Sequence, residues 1–370
     1  MRVPFVDLKA QYLSIKDEID SAISNVINET AFIGGKYVNA FESEFSKLYG
    51  IKNVISCANG TDSLYIIMKM LGIGEGDEVI TVANSWISSS ETITQTGARP
   101  VFVDIDPVYY SMDVTKLEAA ITPHTKAVIA VHLQGQMCPI DLIKAICDKQ
   151  KINLIEDCAQ SHFSELDGQR AGYFGLAASF SFYPGKNLGA YGDAGCIMTN
   201  DDELAQKCRM YARHGALKKH EHKMEGINSR LDGLQAAILS AKLPHILEWT
   251  RMRIQNADLY HNHLAGIAEI ILPATRPGTV HTWHLYVIRA KERNELARFL
   301  SDRGIETAIH YPTALPNLPA YEYLGYKPED FQVATNLQSE ILSLPIYPEL
   351  KEEMIVYVAN SIKEFYSGRK

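Results

Sequence analysis

Ala178-Ser-Phe-Ser-Phe-Tyr-Pro-Gly-Lys-Asn-Leu-Gly-Ala-Tyr-Gly-Asp-Ala-Gly-Cys-Ile-Met-Thr199 holds a short apolar strand, a turn and a second apolar strand. Lys186 sits in the turn, between Pro184, Gly185 and Gly189, residue types that reverse a chain. A lysine at the mouth of a sheet, off any solvated helix face, is positioned as a working amine. The chemistry open to such an amine is a Schiff base with a carbonyl, above all with pyridoxal phosphate. The plainer reading is a surface lysine in a loop, and the rest of the chain decides between them.

Outward from this segment, strand and helix alternate between about residues 50 and 200. Strands are expected at Glu78–Val82, Pro100–Asp104, Ala127–His132, Ile152–Glu156, Ala178–Phe182 and Gly195–Thr199. Leu64, Ile67, Met68 and Leu71 recur at helical spacing after Gly60-Thr61-Asp62. Further helices are expected near 113–121 and 139–150. Continuous apolar strands between helices imply an α/β fold with a mostly parallel sheet covered on both faces. Residues 229–265 read as a long helix broken at Pro244. Beyond it, strands are expected at Trp283–Arg289 and Ile305–His310, with helices near 291–303 and 350–366. These form a smaller α+β unit, so a large domain at 1–245 and a small one at 246–370 are expected.

Composition narrows the class. The chain has 370 residues, 46% hydrophobic and 22% charged, and a net charge of -8, an ordinary globular balance without the broad basic surface that nucleic acid or an anionic membrane would select. The six cysteines are scattered and form no C-x-x-C pair, so neither a metal site nor a redox motif is indicated. No stretch approaches a membrane span. A cytoplasmic protein is expected.

A pyridoxal site also needs an anion near the pyridine nitrogen, a stacking surface and a phosphate cradle. Asp157 ends a buried strand in Ile155-Glu-Asp-Cys-Ala-Gln160 and suits the anion; alone it reads equally well as a turn or helix cap. Glu156 is adjacent, but side chains alternate along a strand, so only one of the two faces the site. Gln160 is a candidate partner for the ring hydroxyl. Asn59-Gly-Thr-Asp-Ser63 opens a helix whose first N–H groups are unpaired, a ready anion site, with Gly60 allowing close approach and Thr61 adding a hydroxyl. Ser181 offers another donor, and Trp86 a stacking face. Neither a G-x-G-x-x-G run nor a nucleotide P-loop is present.

Together these pieces resemble the sugar-nucleotide aminotransferases of the DegT/DnrJ group, which have the aspartate-aminotransferase-like fold of pyridoxal enzymes (fold type I). The resemblance runs from Phe5-Val-Asp-Leu-Lys9 to Leu344-Pro-Ile-Tyr-Pro348 and is densest at Ser181–Gly189, Ile155–Gln160, Gly226-Ile-Asn-Ser-Arg-Leu-Asp232, Trp283-His-Leu-Tyr286 and His310-Tyr-Pro312. It implies that Lys186 bonds the cofactor and moves the proton, that Asp157 pairs with the pyridine nitrogen and Gln160 with the ring oxygen, and that Trp86 stacks. Gly60, Thr61 and Ser181 would hold the phosphate. Asn228 would reach the cofactor of a neighbouring subunit, making a homodimer obligatory.

The same resemblance implies transfer from L-glutamate to a nucleotide-linked keto sugar through pyridoxamine phosphate, in amino-sugar biosynthesis. A dTDP-linked 3-keto-6-deoxyhexose is the first choice, with 4-keto or UDP-linked sugars as the alternative. Tyr183, Lys219, His220, Arg230 and His310 are candidate substrate contacts; solvated or packed side chains remain equally open readings for the loop cations and His310. His220 stands where the family usually has tyrosine, and Ala83-Asn-Ser-Trp86 replaces a commoner Pro- and Phe-bearing segment, so the sugar pocket departs from the pattern. Relatives with histidine in place of Lys186 are dehydratases. A non-catalytic regulatory protein of the same fold is the competing class, against which the intact Lys186 and Asp157 argue.

Overall fold

The computed structural model describes residues 1–368. In chain order the strands are β1 (Asn53–Cys57), β2 (Glu78–Val82), β3 (Arg99–Val103), β4 (Thr125–Val131), β5 (Asn153–Asp157), β6 (Glu165–Leu166), β7 (Gln169–Arg170), β8 (Ala177–Ser181), β9 (Gly195–Thr199), β10 (Ile270–Ile271), β11 (Thr279–Val280), β12 (Tyr286–Ala290) and β13 (Ile341–Leu344). Seven form the central sheet, in the order β1-β9-β8-β5-β4-β2-β3. Strands β3, β2, β4, β5 and β8 run parallel, and β9 is antiparallel to both its neighbours. Helices cover both faces, which is why β4 and β9 are apolar along nearly their whole length.

The helix Gly60–Met70 shows how local sequence sets this frame. Asn59 caps it by accepting from the Asp62 N–H at 2.7 Å. Leu64, Ile67 and Met68 form its buried stripe. Strands expected at 78–82, 100–104, 127–132, 152–156, 178–182 and 195–199 all occur, displaced by two residues at most.

Three expectations need correction. Residues 229–232 are not helical: Asp232 bridges to Ile33, and the helix begins at Gly233. Pro244 then breaks the run into Gly233–Lys242, a 3-10 turn at Leu243–His245, and Ile246–Leu264. Strand β12 starts at Tyr286 instead of Trp283, because Trp283 takes a positive φ of 46° and its ring lies parallel to His281 at 3.7 Å. Residues 305–310 form no strand. Only single bridges are made there, Val3 to Ile305 and Ala308 to Ser343 on the outer edge of β13, too few to make a strand.

The core gathers in two clusters. The larger surrounds the central sheet. The smaller, with Tyr260, Tyr286, Leu296, Leu342 and Ile362, surrounds the β10-β12-β13 sheet. Chain order and packing do not coincide at the edges: Leu315, Tyr321 and Phe331 join the larger cluster and Val3 the smaller. All six cysteines are buried and unpaired. Among the described residues no helix is long and apolar enough to cross a membrane.

Candidate active site

A cavity of about 740 Å³ opens at the carboxyl ends of β4, β5 and β8, where parallel sheets place their ligands. Lys186 enters it from the turn after β8. That turn is closed by its own backbone, Lys186 N–H to Tyr183 O at 2.8 Å and Ala190 N–H to Phe182 O at 2.8 Å. Gly189 is required there, because a Cβ would meet Pro184 O at 2.3 Å. Burial lowers the Lys186 pKa to about 8, against the partial support of the Asp157 charge. A fraction of neutral amine is therefore present near neutral pH, as a nucleophile or general base requires.

Strand alternation separates the two neighbouring carboxylates as expected. Asp157 turns into the cavity. One of its oxygens accepts from Ser89 Oγ at 2.8 Å and the other from the Ala159 N–H at 3.1 Å. Glu156 turns the other way and is fully buried. It accepts from the N–H groups of Gly172, Phe174 and Gly175 at 2.8, 2.7 and 2.6 Å, and it pairs with His132 Nε2 at 2.9 Å. Cys158 lies within reach of His132 and Glu156, but those bonds already occupy the carboxylate, and His132 Nδ1 accepts from the Cys138 N–H.

The helix beginning at Gly60 points its first N–H groups at the cavity. Gly60 serves packing as well as access, since a Cβ would lie 2.7 Å from that of Ser181. Thr61 Oγ1 bonds Ser88 Oγ at 2.7 Å. Trp86 stands at the rim, 58% exposed, its ring 5.8 Å from that of Tyr311. Tyr183 is also an exposed rim residue. Gln160 lines the cavity with both ends of its amide engaged: Oε1 accepts from the Gln134 N–H at 2.7 Å, and Nε2 donates to Tyr311 Oη at 2.9 Å. His310 stacks on Phe5 and bonds Ser343 through Nδ1. Burial and the neighbouring Lys186 charge lower its pKa to about 4, so it is neutral.

The cavity thus collects Gly60, Thr61, Trp86, Asp157, Gln160, Ser181, Tyr183, Lys186 and His310. It does not collect the rest. Lys219, His220 and Arg230 line a separate cavity of about 420 Å³, beside Arg213 and His214. Asn228 is exposed and bridges to Arg213. Within one subunit this excursion of the chain, tied by the Arg213–Asn228 and Ala216–His222 bridges, stays clear of Lys186.

Two participants escaped the sequence reading. Ser89, which holds Asp157, lies in a serine run without distinguishing pattern. Arg253 is buried in the cavity wall, its Nη1 donating to Trp283 O at 3.2 Å and Ile346 O at 2.9 Å, while Nε has no partner. Its place on a helix face resembled that of any solvated arginine.

Comparison with known proteins places nearly the whole chain. The DegT/DnrJ/EryC1/StrS aminotransferase family matches residues 13–363. The chain is 44% identical over 368 residues to a pleiotropic regulatory protein of Geobacillus stearothermophilus, covering 99% of each. It is 38% identical to the dTDP-3-amino-3,4,6-trideoxy-alpha-D-glucose transaminase of Streptomyces venezuelae, covering 98% of this chain and 96% of that one. It is 39% identical to a UDP-N-acetyl-3-dehydro-alpha-D-glucosamine 3-aminotransferase of Acidithiobacillus ferrooxidans, covering 99% and 98%. Among solved structures, S. venezuelae DesV in complex with a ketimine intermediate superposes with a TM-score of 0.96 at 38% identity, over 98% of both chains. NtdA of Bacillus subtilis with bound cofactor PMP gives 0.89 at 30%, over 98% of this chain and 85% of that one. The chain belongs to the DegT/DnrJ/EryC1/StrS aminotransferase family.

Proposed function

We propose that this protein is a pyridoxal-phosphate-dependent aminotransferase that moves an amino group from L-glutamate to a nucleotide-linked keto sugar. The observation that carries the reading is Lys186, an amine held near pKa 8 in a cavity whose other wall presents the Asp157 carboxylate. The residues fit the cofactor. A carboxylate stands ready for a pyridinium, free helix N–H groups at Gly60 and Thr61 with Ser181 suit a phosphate, and Trp86 and Tyr311 offer ring faces. When bound, pyridoxal phosphate supplies the electron sink that makes the amino acid Cα–H acidic.

The protein's own part is proton handling and placement. The Lys186 amine takes the proton from the donor Cα and later returns one to the sugar carbon. Asp157, fixed by Ser89 and the Ala159 N–H, would pair with the ring nitrogen of the bound cofactor. His310, being neutral, adds no positive charge beside Lys186.

A 3-keto sugar on dTDP is the first choice of acceptor and one on UDP the second; the Streptomyces relative is named for a dTDP-linked 3-amino sugar and the Acidithiobacillus relative for a UDP-linked 3-dehydro sugar. The separate basic cavity of Lys219, His220 and Arg230 suits a diphosphate brought to it across a homodimer, as does Asn228 for the partner's cofactor. Phe32, Ile33 and Leu217, exposed beside that cavity, supply an apolar rim for the contact.

The test is spectroscopic. Purified protein loaded with pyridoxal phosphate is expected to show a visible band that L-glutamate bleaches, with release of 2-oxoglutarate, and that the correct keto sugar restores. A protein that binds the cofactor but releases no 2-oxoglutarate would move the regulatory reading ahead, a reading that the name of the Geobacillus relative keeps in view.

A further inference from the structure

Lys242 is the last residue of the helix Gly233–Lys242, immediately before the 3-10 turn that leads into Ile246–Leu264. Its side chain is fully buried. A lysine ammonium inside a protein is expensive, several kcal/mol even after relaxation, and a leucine or methionine would fill the space without that cost. Burial lowers the Lys242 pKa to about 8, with Glu349 opposing the shift. Something in the fold must return that energy.

The ammonium makes one hydrogen bond, to the Gly189 carbonyl at 2.7 Å. It also lies over the Tyr191 ring, 4.3 Å from the centroid. Gly189 closes the turn that carries Lys186, and Asn187, Leu188, Gly189 and Ala190 are all buried. The turn's own backbone bonds run from Lys186 to Tyr183 and from Ala190 to Phe182. They leave the Gly189 carbonyl facing away from the turn, and without Lys242 it would be a buried acceptor lacking a charged partner. Asn187 fixes the other side, donating to Thr282 O at 3.1 Å and bonding His284 Nδ1 at 3.1 Å. The turn is therefore clamped between Lys242 and the segment 282–284.

We propose that Lys242 is a positioning residue: its bond to the Gly189 carbonyl sets where the Lys186 amine stands, and it ties that turn to the junction between the two proposed domains. Lys242 touches no substrate and lies outside the cavity wall. The proposal rests on the aminotransferase reading only for the role of Lys186. Its placement can be measured without any reaction.

The test uses Lys242→Met and Lys242→Arg. In cofactor-free protein, competitive labelling of amines read by peptide mass spectrometry reports the pH profile of Lys186 itself. In pyridoxal-phosphate-loaded protein, the half-reaction with L-glutamate gives kcat and KM. Lys242→Met is expected to change the Lys186 labelling rate at pH 8 at least threefold. It should lower kcat about tenfold while KM stays within twofold, as a sub-ångström displacement of a reacting group would. Lys242→Arg keeps a charge and a donor and should restore both readouts to within threefold of wild type. Where the methionine variant does not fold, Lys242→Gln, whose amide falls short of Gly189, takes its place with the same expected losses. A folded Met or Gln variant with wild-type Lys186 labelling and kcat overturns the proposal, as does an arginine variant as impaired as the methionine one. Failure of the functional reading looks different: the wild type itself would release no 2-oxoglutarate.

Discussion

Replacing Lys186 with methionine in the cofactor-free protein should stabilise it at neutral pH, and the gain should fade as pH rises. The unfolded lysine titrates at 10.5 and the folded one at about 8. The folded state therefore resists the proton, and the sign follows: the destabilisation is complete below pH 8, shrinks as pH rises, and is gone above 10.5. A displacement of 2.5 pH units, 10.5 minus 8, corresponds to about 3 kcal/mol at pH 7, about 2 at pH 9 and under about 1 at pH 10. Methionine matches the length of the stem without the charge. Denaturant unfolding of wild type and Lys186→Met, side by side at pH 7, 9 and 10, measures the difference. Lys242 and the buried tyrosines titrate in both proteins and cancel. A gap between the two proteins that stays constant from pH 7 to pH 10 would refute the claim that Lys186 is held as a desolvated amine. So would a methionine variant less stable than wild type at pH 7.

Two further outcomes are expected. Glu156→Gln and Asp157→Asn should separate cleanly. The first deprives three N–H groups and His132 of their carboxylate and should cost about 3 kcal/mol of stability or more, whereas the second should leave the unfolding midpoint near wild type and lower kcat by at least about a hundredfold. A Glu156→Gln protein as stable as wild type would show that its bonds are replaceable. Mixing inactive Lys186→Ala with inactive Asn228→Ala subunits should regenerate activity approaching about a quarter of wild type, because one site in each mixed dimer draws Lys186 from one chain and Asn228 from the other; mixed protein that stays inactive would mean each site is built within one chain.

What the sequence disclosed depended on whether a residue's local pattern differed from a competing pattern. Side-chain alternation along a strand distinguishes Asp157 from Glu156 although both are buried, and the structure turns them to opposite faces. The cap at Asn59 and the turn at Pro184–Gly189 are equally local. The helix Ser88–Thr96 shows where locality misleads. Its serines and threonines normally argue against a helix interior, yet here the hydroxyls of Ser90, Thr92, Thr94 and Thr96 bond carbonyls one turn back, and Ser89 is left free to hold Asp157. Patterning alone does not distinguish that helix from a polar loop.

The buried cations were hidden for a different reason. Lys242 ends a helix with no other charge and Arg253 lies on one whose other charges face solvent, and a heptad-scale pattern does not reveal that the first helix ends beneath the Lys186 turn. Only the position of carbonyls far along the chain, Gly189 for one and Trp283 and Ile346 for the other, turns each charge inward. Lys219, His220, Asn228 and Arg230 are the converse case. Their residue types suggested a substrate site, but a single chain folds them 213–230 into a cavity of their own. Residues that act across a subunit boundary leave no spacing signature relative to Lys186, because symmetry and not chain length fixes their distance from it. The mixed-subunit experiment therefore tests the proposal that Asn228 completes the site of a second chain, which neither local pattern nor a single folded chain can decide.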